Sequence, residues 1–392
     1  MNIQKIYIGG WFQRTTLHLS EIYDFLKEAK SELALDQQKL RELRDSLEIG
    51  AMEMRIGNLD YIEFRSKSGI AVKVYEDGLI VLNNPQPAGV IKDLIGELTS
   101  YYETKLSPAI SYIFSLGAPI PKELANIKTI YPYFLVLGRA TRHEIDGLLK
   151  DFGQEKYFEI TKPEFEIYRG NKLYIINNFE GKLANIENVI NEQIFMREFK
   201  GQLHRYLNLH RIIWEHIAEV KERGKIKGNE IGPFKDKIEG YAKTINLIEA
   251  RINQMNAYIK TRESIVKNTK ELEQFHEIFE FKYETLVDTL QYIKDIWGMT
   301  KNYVNSALDI FSSLQAKSTE SSVKNLTVIT SMGVGATLIN LFTQQPPKLN
   351  FAGGIYFVAL ALIGYLTNLI MQKIAMKRMY KIRDIKIAKD IS

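Results

Sequence analysis

Enzymatic chemistry needs a nucleophile, a base or a metal ligand at a workable spacing, and histidine is the first residue to trace. The chain has six: His18, His143, His204, His210, His216 and His276. None sits in an H-E-x-x-H pair. His204, His210 and His216 recur six apart, which puts neighbours on opposite sides of a helix. They read as partly buried helix residues and not as a ligand set. There is no cysteine, so thiolate nucleophiles, thiolate metal sites and disulfides are excluded. No P-loop and no G-x-G-x-x-G occurs. "SMGVGAT" has two glycines inside an apolar run, where they read as close-packing positions. Glu271, Glu273, Glu277, Glu280 and Glu284 could collect cations or could be a solvated helix face. No catalytic residue and no organic cofactor is expected.

One polar pattern does suggest a function. Thr330, Gly333, Thr337, Asn340 and Gln344 recur at steps of three and four, which places them on one helix face. That face belongs to the first of two uncharged runs, Leu326–Phe342 and Phe351–Met371. About 20 helical residues cross a hydrocarbon core of ~30 Å. The runs are therefore expected to be transmembrane helices over 325–344 and 351–372, the alternative being a buried hairpin. A polar stripe in lipid must face protein or water, so it predicts either helix–helix adhesion or a pore shared by several subunits. Pro346 and Pro347 make the turn between the runs.

The formal net charge is +5, and residues 373–392 carry seven Lys/Arg against two Asp. The tail thus accounts for the whole excess. A broad nucleic-acid-binding face is excluded by that distribution. By the positive-inside rule both termini are expected in the cytoplasm, as in a multi-pass protein of the inner (cytoplasmic) membrane. Nothing at the start, "MNIQKIYIGGWF", has a signal-peptide h-region; it reads as a first strand.

Stepping upstream, Leu290, Ile293, Trp297, Val304, Ala307, Phe311 and Leu314 keep a three-four spacing, with Thr300 in the gap. Ile245, Ile248, Ile252, Met255 and Ile259 do the same. These seams predict helices packed along their length, over 203–324, with one helix running from about His276 into the first apolar run. "KIKGNEIGPF", Lys225–Phe234, has loop composition. Earlier, "LIVLNN" at Leu79–Asn84 returns as "LYIINN" at Leu173–Asn178. "KIYIGGWFQRTTLHLSEIYDFL" parallels "YPYFLVLGRATRHEIDGLLKDF". The order strand, turn, helix, strand, hairpin, strand, helix in each copy predicts a duplicated α/β module with antiparallel, ferredoxin-like sheets over 1–120 and 121–202. The expected fold class is an α+β membrane protein: that duplicated cytosolic module, a long helical stalk, two C-terminal transmembrane helices and a basic tail over 373–392.

The layout from about Phe275 to Met379, with "SSVKNLTVITSM" at Ser321–Met332, resembles the CorA family of divalent-cation channels. The resemblance implies a homopentamer whose first membrane helix lines the pore. By position Leu326, Thr330, Val334, Thr337 and Leu341 would line it, joined by Asn340 and Gln344 of the polar stripe. It implies a divalent cation as the transported or regulatory ion. The family's outer Gly-Met-Asn is replaced by Thr343, Gln344, Gln345 and Pro346, so Mg²⁺ selectivity is not implied. Divergent members also suggest a membrane effector of type III CRISPR antiviral defence that responds to a small nucleotide at its cytosolic domain. A non-conducting membrane scaffold is a third expectation.

Overall fold

The computed structural model describes residues 2–13, 18–84, 87–113, 133–179, 186–222, 224–269, 272–273 and 276–342, with scattered residues between 358 and 382. Two compact units emerge, Met1–Leu209 with Leu247–Asp295, and His210–Asn246 with Ile296–Ser392.

The first unit is built on a mixed nine-stranded sheet. Its strands are β1 (Asn2–Trp11), β2 (Ile49–Arg55), β3 (Tyr61–Ser66), β4 (Ala71–Tyr75), β5 (Leu79–Asn84), β6 (Tyr133–Gly138), β7 (Phe158–Thr161), β8 (Phe165–Arg169) and β9 (Leu173–Asn178). They lie in the order β2-β3-β4-β5-β1-β6-β9-β8-β7. The two predicted halves are thus fused through an antiparallel β1·β6 pair into one sheet. They are not two ferredoxin-like sheets.

The halves differ by one strand, with a topological consequence. After its helices the first half makes a four-stranded meander, β2 to β5; the second makes a three-stranded one, β7 to β9. Each antiparallel step reverses the chain. An even meander and an odd one therefore return in opposite senses relative to their first strand. Accordingly β5 pairs antiparallel with β1, and β9 pairs parallel with β6.

Helices α1 (Leu19–Glu28), α2 (Gln37–Ser46), α3 (Ile91–Tyr101), α4 (Ser107–Ile113) and α5 (Arg142–Asp151) cover one face, with a π-helical turn at Tyr102–Leu106 joining α3 to α4. Ile22, Phe25, Leu40, Leu98 and Ile145 pack there on Ile6, Ile8, Leu135 and Ile175. Caps fix the helix starts: Asp36 accepts from the Lys39 N–H at 2.7 Å, and Thr141 and Glu144 close a capping box before α5. Over the other face runs α6 (Ile186–Glu222). A Cβ on Gly9 would lie 2.9 Å from Ile194 Cδ1 of this helix and 2.6 Å from the Ile80 carbonyl of the neighbouring β5. Only glycine fits there.

Two more long helices follow, α7 (Gly228–Asn268) and α8 (His276–Phe342). Helix α8 begins where the spacing predicted. The expected loop at Lys225–Phe234 is instead strand β10 (Lys225–Lys227) and the first turns of α7, with Pro233 inside the helix. Burial of Ile226 and Ile231 outweighs the loop composition. Strand β10 pairs with β11 (Met379–Lys381) from the basic tail. The seam residues Leu290, Ile293, Trp297, Val304, Ala307, Phe311 and Leu314 are all buried within the single chain.

The membrane expectation is overturned. Among the described residues no helix is long and apolar enough to cross a membrane. The uncharged part of α8, Asn325–Phe342, stops short of the about 20 helical residues that a crossing takes. Residues 343–357, including the expected turn, and much of the second run lie outside the described residues. The fold is α+β, a large mixed sheet with long helices, and neither the transmembrane assignment nor the multi-pass inner-membrane location is supported.

Candidate functional site

A buried charged cluster in the first unit gathers four segments around Arg262 of α7. Its Nε and Nη2 donate to Asp77 at 2.6 and 3.0 Å, and Nη1 donates to Glu192 at 2.8 Å. Asp77 lies in the β4–β5 turn, and Glu192 is on α6. The Tyr283 hydroxyl of α8 donates to the other Glu192 oxygen. The guanidinium stands 5.2 Å from the Phe195 ring centre and 5.6 Å from that of Tyr75. All three charged side chains are almost fully buried. Burial disfavours the Arg262 charge, but Asp77 and Glu192 outweigh it and hold the guanidinium well above its ordinary pKa. Burial pushes Glu192 up, and Arg262 and the Tyr283 hydroxyl pull against it.

Above this network opens a cavity of about 240 Å³. Its lining includes Tyr61, Lys73, Tyr75, Asn188, Asn191 and Thr269. The rings of Tyr61 and Tyr75 stand 5.1 Å apart. Lys73 lies over the Tyr61 ring at 5.2 Å and is ion-paired with Glu187. Asn191 donates from Nδ2 to the Tyr75 hydroxyl at 2.8 Å, while its carbonyl oxygen is buried with no hydrogen-bond partner. Burial, and then the Glu187 charge, raises the Tyr75 phenol, so it stays protonated at any physiological pH. The wall thus combines an aromatic platform, a neutralised ion pair and one acceptor left unmade.

No family model and no curated protein matches this chain.

The residues singled out from the sequence lie elsewhere. Thr330 and Val334 are exposed on α8. Leu326, Thr337, Asn340 and Leu341 belong to the same helix, but their side chains lie outside the described residues, as does Gln344 altogether. Neither Thr330 nor Val334 is among the residues that line the cavity. Of the histidines, His210 Nδ1 is 2.5 Å from Thr300 Oγ1, and His216 Nδ1 is 2.5 Å from the Tyr241 hydroxyl. Burial lowers the His210 pKa. Among the described residues no group of three or more His, Asp or Glu could hold a metal ion. What sequence reasoning missed is the cavity itself. A detectable sign existed: Arg262 interrupts the apolar stripe Ile259–Val266 of α7, as Glu192 does between Ile190 and Ile194 of α6.

Proposed function

We propose that the first unit is a ligand-sensing domain whose cavity takes a small, planar, hydrogen-bonding molecule of nucleobase or nucleoside size. The observation that carries this reading is the Asn191 carbonyl oxygen. A buried acceptor without a donor costs about 1–3 kcal/mol, and because Asn191 lines the cavity, a turn of its side-chain amide would bring that oxygen to an N–H of a ligand and recover it. Tyr61 offers the ring face on which a planar heterocycle stacks. The volume of about 240 Å³ falls just under the roughly 300 Å³ at which drug-sized pockets begin, so a dinucleotide would overfill it. Lys73 is already neutralised by Glu187, so its charge is not free to hold a phosphate. A channel reading would require membrane-crossing helices, which the described residues lack.

The test is calorimetry and thermal-shift titration of the full chain with adenine, guanosine, uridine and AMP. At least one should bind, and Asn191→Leu should weaken it by about five- to a hundredfold, the loss of one buried hydrogen bond. Thr269→Trp, which fills the cavity, should abolish binding. No binding by any member at millimolar concentration, or unchanged binding by the tryptophan variant, would overturn the reading.

A further inference from the structure

The outer edge of the sheet carries a pattern that the cavity does not use. Strand β2 ends the sheet beside β3, and no strand among the described residues pairs with its far edge. Successive side chains of a strand point to opposite faces. Met52 and Met54, continued by Ile56 just past the strand, therefore share one face, and Glu53 and Arg55 share the other. Met52 is half-buried against the helix-covered core. Met54 is 43% exposed and Ile56 91%. On the opposite face Arg55 is ion-paired with Glu53 beside it and with Glu63 of β3 at 3.5 Å.

Met52–Ile56 reads apolar, acidic, apolar, basic, apolar. The string is symmetric about Met54 in its apolar residues and antisymmetric in its charges. An antiparallel copy of itself, related by a two-fold axis at Met54, meets it with every pair matched. Met54 of one copy faces Met54 of the other, Met52 faces Ile56, and Glu53 faces Arg55 twice. Moving the axis to Glu53 or to Arg55 would oppose like charges, and so would parallel pairing in register; like charges directly opposite are destabilising. Edge strands are commonly guarded by proline or by a bulge. Met52–Ile56 has no proline, and the one register irregularity of β2 lies before it, between Ile49 and Met52.

We propose that β2 is a homodimerisation edge, which pairs antiparallel with β2 of a second copy about a two-fold axis at Met54 and joins two nine-stranded sheets into one. The contact presents the same surface from both copies, so it closes at two subunits. Backbone hydrogen bonds supply the affinity, and the apolar row and alternating charges set the register. At one end of the paired stretch lies the β2–β3 loop, whose Gly57, Asn58 and Leu59 line the cavity. Pairing therefore braces the outer wall of the cavity in both copies.

The test is sedimentation of the full chain at up to about 100 μM, which covers the dissociation constants of small interfaces. The wild-type chain should show a monomer–dimer equilibrium. Glu53→Arg and Arg55→Glu should each weaken the dimer by about tenfold or more, because either change opposes like charges at both symmetric contacts. Mixed in equal amounts, the two variants should dimerise with each other, since the arginines of one then face the glutamates of the other. A folding defect cannot produce that recovery. The chain has no cysteine, so Met54→Cys gives an independent reading. Facing Cα atoms stand about 4.5–5.5 Å apart, within the roughly 4.4–6.8 Å that a disulfide spans. Under mild oxidation Met54→Cys should cross-link into a dimer, while Ser68→Cys, in the exposed β3–β4 turn, should not. A wild-type monomer throughout the range, a dimer unmoved by both reversals, a mixture that stays monomeric, or Met54→Cys cross-linking no faster than Ser68→Cys would overturn the proposal.

Discussion

Replacing Arg262 by methionine would keep most of the side-chain volume but strand two buried carboxylates, Asp77 and Glu192. Removing one partner of a buried ion pair costs about 3–5 kcal/mol, because the remaining charge is left unpaired in a poorly polarisable site. Chemical denaturation of Arg262→Met should show a loss of that size. The double change Asp77→Asn with Arg262→Met should cost less than the sum of the two single changes, since the residues are in direct contact. Additive costs would mean that the network carries no coupling. At this scale little of the site was legible. Tyr61, Lys73, Asn191 and Arg262 come from four separate elements, and no spacing rule links them. The polar residues with a clear spacing, Thr330 through Gln344, drew attention because periodicity is visible in one dimension and convergence is not.

Helix α6 carries a second buried acid, Glu198, only 4% exposed. Burial pushes it up to about 7, against the pull of Arg205, Arg197 and the Trp11 N–H. The folded state therefore holds this proton more tightly than the unfolded chain, whose glutamates titrate near pH 4.5. The stability this contributes is fully present below pH 4.5 and is lost as the pH rises through about 7, by on the order of 3 kcal/mol. Glu198→Gln should remove that slope and be the more stable protein above pH 7, as measured by urea unfolding between pH 5 and 8. Equal slopes in both proteins would show that Glu198 does not titrate in this range. Elements were more legible than residues. The hairpins β4–β5 and β8–β9 were legible from the repeated strings LIVLNN and LYIINN, although their strands are buried almost throughout, and α8 starts at His276, about where it was expected. Strand β2 was not read as a separate strand: it lies at the sheet edge with mostly exposed side chains, so burial imposes no alternation on it. The apolar seams were visible, but burial within one chain shows that they do not require a partner subunit.

At the scale of the whole molecule, the sheet places its first strand at its centre. One side of β1 pairs with Leu79–Asn84 of β5 and the other with Tyr133–Gly138 of β6. The chain is made in order, at about 5–20 residues per second. Once β5 has emerged, β1 can fill only one of its two edges for roughly 2 to 10 seconds of further synthesis. Throughout that interval the growing protein presents the unpaired edge of β1 over Asn2–Ile8, of the kind that recruits other chains. A translation product halted after residue 113 should therefore aggregate or stay bound to a chaperone, while one extended through residue 222 should sediment as a dispersed species. Equal solubility of the two would mean that α1–α4 alone suffice to protect the strand. The cell that makes this protein has to shelter the open edge of β1 until the second half of the sheet arrives.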